Sequence, residues 1–154
     1  MSASSQRVKR QKVQVVIFLT NPHDVELLLL KTTQKRGSYW QNVTGGVEPE
    51  DSSLEESASR EVLEETGLKD IKVYSLNFET NFIDRWDTEV TEHLFLAIAQ
   101  DDEKNISIDP SEHQDWGTLK IDEVSDKNFG FPSNYNAFTL AIKKFKEIEH
   151  GGLA

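Results

Sequence analysis

Three glutamates, Glu61, Glu64 and Glu65, follow one arginine, Arg60, in a stretch where Leu54, Ala58 and Val62 recur every fourth position. That recurrence predicts a helix, and residues three and four apart on a helix share a face, so the carboxylates project to one side. At about 100° per residue, Glu61 and Glu65 stand beside the apolar stripe and border the core. Like charges so placed repel one another unless a cation compensates them. Hard divalent cations take oxygen ligands, and Mg2+ is held by a few carboxylates together with water and substrate phosphate. One chemistry open to this face is therefore metal-assisted work on a phosphate chain; the alternative is a glutamate-rich surface helix with no further role. Arg60 reaches Glu64 at four-residue spacing, which would orient that carboxylate.

Other elements must position this face. Gly45 and Gly46 permit a tight turn and close approach of backbone to a ligand or metal, and Gly67 is placed to end the helix. Ahead of them, residues 13–19 are β-branched and apolar and read as a buried strand, with residues 25–31 as its hairpin partner. Residues 32–38 are polar, cationic and loop-like, and residues 39–44 lead into the double glycine. Residues 71–82, 89–99 and 114–121 read as further strands, with a turn at 84–87. Residues 134–148 form an amphipathic helix carrying Phe138, Ala141, Ile142 and Phe145. Strands flanking one central helix, with a second helix closing the chain, predict a mixed α/β sandwich in one domain over 1–154, with residues 1–10 as a flexible tail.

Composition narrows the function classes. The 154 residues carry a net charge of −10, which argues against nucleic acid or an anionic membrane as a partner. An anionic ligand would need bound cations or a focused basic patch. There are no cysteines, which excludes disulfides, zinc–thiolate sites and thiol catalysis. The longest aliphatic run, Leu27 to Leu30, is far too short to span a bilayer, and the polar, basic start has no apolar core of signal-peptide length after it. A cytoplasmic location is expected.

The segment GGVEPEDSSLEESASREVLEETGL, residues 45–68, resembles the Nudix box: Gly, five residues, Glu, seven residues, then Arg-Glu-aliphatic-any-Glu-Glu-any-Gly-aliphatic. Gly46, Arg60, Glu61, Val62, Glu64, Glu65, Gly67 and Leu68 fall on that pattern without insertion or deletion. Ser52 stands where the pattern has its first glutamate, which in the family supports the loop–helix junction, and Ser52 is itself a competent helix N-cap. The resemblance implies a Nudix fold, an α/β/α sandwich with a mixed β-sheet. It also implies Mg2+, with Mn2+ as an alternative, held by Glu61, Glu64 and Glu65 with Gly45 at the metal and Arg60 in the catalytic machinery.

Residues 39–48 (YWQNVTGGVE), 111–116 (SEHQDW) and 133–138 (SNYNAF) are similar to the dihydroneopterin triphosphate diphosphatase branch of that family, which also acts as a dATP-type pyrophosphohydrolase. By this resemblance Glu112 completes the metal site or acts as general base, and Glu64 is the other candidate base. His113 is read as a surface or packing histidine. Lys31, Thr44 and Ser133 resemble substrate-contacting positions. Trp40, Phe82 and Trp86 could stack on a pterin or purine ring, with a core position as the alternative for Trp40 and a rim position suiting Trp86. The implied activity is Mg2+-dependent cleavage of a nucleoside triphosphate or dihydroneopterin triphosphate to the monophosphate and pyrophosphate. Rival readings are a dinucleoside polyphosphate hydrolase, removal of pyrophosphate from RNA 5′ ends, and a catalytically silent domain that senses a nucleotide.

Overall fold

The computed structural model describes residues 7–100 and 105–150. Its centre is strand β1 (Lys9–Thr20), whose residues from Val13 to Leu19 are all buried. Such a run belongs to a strand covered on both faces. Its odd-numbered residues Val13, Val15, Ile17 and Leu19 share one core with Ala58 and Val62. The even-numbered Val16 and Phe18 share a second with Phe138, Ala141 and Phe145. The period of two thus divides one strand between two cores.

Strand β2 (Val25–Thr32) is its antiparallel hairpin partner, as the sequence predicts, and β3 (Trp40–Gln41) pairs with β2. Strand β4 (Val43–Gly46) runs antiparallel to the first half of β1, with Gly45 opposite Val13 and Thr44 opposite Gln14. Helix α1 (Leu54–Thr66) follows, then β5 (Ile71–Ile83), β6 (Glu89–Gln100), β7 (His113–Lys120) and helix α2 (Pro132–Glu149). The path across the sheet is β3-β2-β1-β6-β5, with β4 added to β1 and β7 to β2. Only β1 and β6 run parallel among these pairs, so the sheet is mixed, and α1 and α2 cover its opposite faces.

Two expectations are corrected. Lys9 and Arg10 were expected in a flexible tail, but they open β1, paired in register with Glu89 and Val90 of β6; a basic segment is held by backbone ladder bonds that its polarity does not betray. Residues 1–6 lie outside the described residues. Ser52 was expected as the N-cap, but Ser53 is: its hydroxyl accepts from the Glu56 amide, while the Ser52 hydroxyl donates to the Glu56 carboxylate. At the other end Gly67 adopts φ 80°, a left-handed cap that favours glycine, and its amide donates to Leu63 O.

Polar groups in the α2-facing core are chained together. The Gln14 amide donates to Glu92 at 2.9 Å, Asn42 Nδ2 donates to Gln14 Oε1 at 2.8 Å, and the Asn42 backbone amide donates to Asn134 Oδ1 at 2.8 Å. This ties β6, β1, the start of β4 and the first turn of α2 to one another. Burial raises the Glu92 carboxyl above its ordinary value, against the pull of the Gln14 amide. Among the described residues, no helix is long and apolar enough to cross a membrane.

Candidate active site

Helix α1 presents its carboxylates unequally. The Glu61 and Glu65 side chains are 9% and 5% exposed, whereas that of Glu64 is 54% exposed. Angular spacing placed Glu61 and Glu65 at the border of the core, and they lie there. Burial is the main reason the Glu61 carboxyl is pushed up to about 7, against the opposing pull of Arg60. Gly45 makes that burial possible: a Cβ at this position would lie 1.9 Å from the Glu61 carboxyl carbon. The glycine was expected to admit a ligand or metal; the group that approaches it here is the Glu61 side chain.

Arg60 organises this side of the helix. Its Nη1 donates to Glu61 at 3.0 Å and to both oxygens of Glu64 at 3.3 Å, and its Nη2 donates to Gly46 O at 2.7 Å. The strongest link is to Asp51, which accepts from Nε at 3.0 Å and from Nη2 at 2.9 Å in the two-pronged geometry suited to a guanidinium. Asp51 also accepts from the Glu48 amide and the Ser57 hydroxyl. Arg60 above all, then these two donors, hold its carboxyl well below the usual carboxylate range. Asp51 therefore ties the loop to the helix, the support for which the box pattern has a glutamate one position later. The signal was present as a carboxylate three residues after Glu48, placed to accept its amide across a turn.

A second group forms where α1 meets the loop before β7. Glu65, Asp109 and Glu112 each bring one carboxylate oxygen to within 4.8 Å of the others, the one such cluster among the described residues. Asp109 was not foreseen. It accepts from the Ser111 amide and hydroxyl, an Asx turn across Asp-Pro-Ser that its sequence could have signalled, and these donors, hydroxyl first, lower its carboxyl. Glu112 is half-exposed and ion-paired to Arg36 at 2.6 Å.

His113 corrects the surface reading; as a packing histidine it also carries polar contacts. It is 3% exposed, and its ring bridges Gln41 and Glu65. With the Gln41 amide nitrogen assigned toward Nε2 at 3.0 Å, Nε2 accepts and the ring proton falls on Nδ1, 2.9 Å from Glu65 Oε1. The approach is off line, and both atoms are buried without a well-formed hydrogen bond. A buried carboxylate whose neighbours include two further carboxylates suits a cation. Oxygen donors alone suit Mg2+ or Mn2+, which Glu65, Asp109 and Glu112 could hold, with Glu61 and Glu64 on the same helix.

The six residues expected at the substrate fall into two groups. Lys31 Nζ lies 5.9 Å from the Trp40 ring centroid, Trp40 packs partly buried on the α2-facing core, and Thr44 lies opposite Gln14. Ser133 precedes Asn134, whose side chain accepts from Asn42, so the first turn of α2 meets the same end of the sheet. Phe82 and Trp86 are apart from these, on and just beyond β5, three strand positions from β2 and hence roughly 14 Å across the sheet. Phe82 lines a recess of about 350 Å³ with Gln11, Asn81 and Val90. Trp86 is 68% exposed beneath Arg85. A larger recess, about 1180 Å³, lies at the C-terminal end of α1 and is lined by none of the box glutamates.

The family model for the NUDIX domain matches residues 10–139. No curated protein matches the chain. Solved structures share its fold. An Ap4A hydrolase from C. elegans, in a binary complex, superposes with TM-score 0.72 at 15% identity, over 89% of this chain and 98% of that one. The NUDIX domain of Shewanella oneidensis NrtR, complexed with ADP ribose, gives 0.72 at 15% identity over 94% of each chain. A MutT protein from Methanosarcina mazei gives 0.68 at 21% identity, over 92% of this chain and 98% of that one.

Proposed function

The chain belongs to the NUDIX domain family, and from that premise we propose that it hydrolyses the phosphoric anhydride of a nucleoside triphosphate or of dihydroneopterin triphosphate, releasing the monophosphate and pyrophosphate. One observation carries the reading. Glu65, largely buried against His113, brings a carboxylate oxygen to within 4.8 Å of one from Asp109 and one from Glu112, a convergence of oxygen donors that suits a divalent cation. Bound Mg2+, or Mn2+ in its place, supplies charge neutralisation along the phosphate chain and Lewis acidity at the phosphorus under attack. Glu65, Asp109 and Glu112 would hold it, together with Glu61 and Glu64.

The side chains divide the remaining work. Arg60 and Asp51 lock the loop to α1 and orient Glu61 and Glu64. Glu64 or Glu112, the more exposed carboxylates, would take the proton from water as it adds to phosphorus, while the leaving pyrophosphate carries away the electron pair of the broken anhydride bond. Lys31 contributes positive charge beside Trp40, and Trp40, Thr44 and Ser133 border the place for a heterocycle. Trp40 and the residues 39–48 that resemble the pterin branch support a flat, hydrogen-bonding ring.

A second reading, hydrolysis of a dinucleoside polyphosphate, is supported by the fold shared with the C. elegans Ap4A hydrolase. A silent nucleotide sensor loses its sequence support once Asp51 is seen to bind Arg60 where Ser52 does not. A Mg2+-dependent screen over dATP, dihydroneopterin triphosphate and diadenosine tetraphosphate, with products identified, tests the proposal. Pyrophosphate from either of the first two supports it. Preferential cleavage of the third would replace it, and binding of all with turnover of none would favour the sensor.

A further inference from the structure

The turn between β2 and β3 is built with unusual care for an exposed loop. The amides of Arg36, Gly37 and Ser38 all donate to Thr33 O, and Gly37 and Ser38 take positive φ of 123° and 55°. The Gln114 side chain staples the turn to β7 by donating to Thr32 O at 2.9 Å and to Ser38 Oγ at 3.0 Å. The consequence is the position of one guanidinium: Arg36 Nη1 donates to Glu112 Oε1 at 2.6 Å, with the two side chains 45% and 43% exposed. Ion pairs this exposed contribute little to stability, so stability alone does not account for the arrangement. The same Glu112 belongs to the cluster with Glu65 and Asp109. Arg36 thus occupies a carboxylate that the cluster would otherwise offer to a cation, and a guanidinium fork fits two phosphate oxygens as well as it fits a carboxylate.

We propose that Arg36 is a phosphate-binding residue parked on Glu112: an incoming polyphosphate exchanges for the carboxylate on the guanidinium and releases Glu112 to serve the acidic cluster it already borders. This deepens the hydrolase reading and rests on it. The exchange links substrate arrival to completion of the carboxylate set. It also places positive charge at the edge of a protein whose net charge is −10.

The test uses the whole protein and two binding measurements that need no turnover. Mn2+ affinity is read by electron paramagnetic resonance, and binding of inorganic tripolyphosphate at saturating Mn2+ is read by calorimetry. Arg36→Ala should bind Mn2+ about two- to fivefold more tightly, the size of an exposed ion pair released. It should bind tripolyphosphate roughly tenfold more weakly, as for loss of a charge-assisted hydrogen bond. Arg36→Lys should retain part of the tripolyphosphate binding. In a Glu112→Gln background, Arg36→Ala should no longer improve Mn2+ binding, which separates release of Glu112 from a general charge effect. Absence of either shift, or a Mn2+ gain that survives in the Glu112→Gln background, overturns the proposal. If both shifts occur while the wild-type protein hydrolyses no polyphosphate, the hydrolase reading fails and the exchange at Arg36 stands.

Discussion

Replacing Gly45 with alanine tests how the carboxylate on the first turn of the acidic face is held. A Cβ at this position would sit 1.9 Å from the Glu61 carboxyl carbon and 2.1 and 2.2 Å from its oxygens, whereas ordinary contact begins near 3.4 Å, so the carboxyl must retreat by about 1.5 Å. It has little room: the side chain is 9% exposed and tethered to Arg60 at 3.0 Å. Overpacking of this kind costs about 1–3 kcal/mol of stability. A displacement of an ångström at a catalytic constellation lowers turnover about 100-fold. Gly46→Ala is the internal control, because the nearest group its Cβ would meet is the Arg10 guanidinium at 3.0 Å, the far end of an exposed side chain. Three measurements are needed on both variants: thermal melting, Mn2+ affinity and kcat on the best substrate from the nucleotide screen. Gly45→Ala should lose turnover and Mn2+ affinity while remaining folded, and Gly46→Ala should keep both within a few-fold. If Gly45→Ala behaved like Gly46→Ala, the idea that this glycine exists to admit Glu61 would be wrong.

Further expectations concern the charges and the core. Asp51→Ala should weaken Mn2+ binding roughly 10- to 100-fold by releasing Arg60, whereas Ser52→Ala should leave it nearly unchanged; equal effects would return the junction role to Ser52. The Glu61 carboxyl is raised from 4.5 to about 7, chiefly by burial. The folded protein therefore keeps a proton that the unfolded chain releases, so this group's stabilisation is complete below about pH 4.5 and lost as pH rises through about 7. In chelator, melting temperature should fall across that window and Glu61→Gln should flatten the fall; an unchanged slope would refute the assignment. Since a metal must displace the same proton, Mn2+ affinity should climb over the same window. Phe18 is fully buried with its ring edge-on to Phe138 and Phe145, at 6.1 and 5.4 Å, so Phe18→Ala should lower the unfolding free energy by about 3–5 kcal/mol in a urea titration.

What could be read in the sequence was local. Leu54, Ala58 and Val62 announced both the helix and its buried face, Gly67 announced its end, and the same geometry put Glu61 and Glu65 at the core boundary. Each signal depends on neighbours within four residues, where backbone geometry alone decides who meets whom. Asp51 was passed over in favour of Ser52 because its importance depends on a turn that carries it to Arg60, nine residues on. The burial of His113 depends on Gln41, 72 positions away, and no periodicity in a short strand opening reveals that. Phe82 looked equivalent to Trp40 as an aromatic near a cleft; only the strand order separates them.

That strand order also bears on how the protein is made. Strand β1 pairs with β6 along its whole length, each residue meeting a partner eighty positions later, and the entire acidic box lies inside that span. A growing chain therefore exposes Glu61, Glu64 and Glu65 well before the centre of the sheet can close. Closure of so long a loop should slow folding relative to a fold of local contacts. If the cation trap is assembled only after that step, free Mg2+ should leave the folding rate untouched and act solely by slowing escape from the finished state.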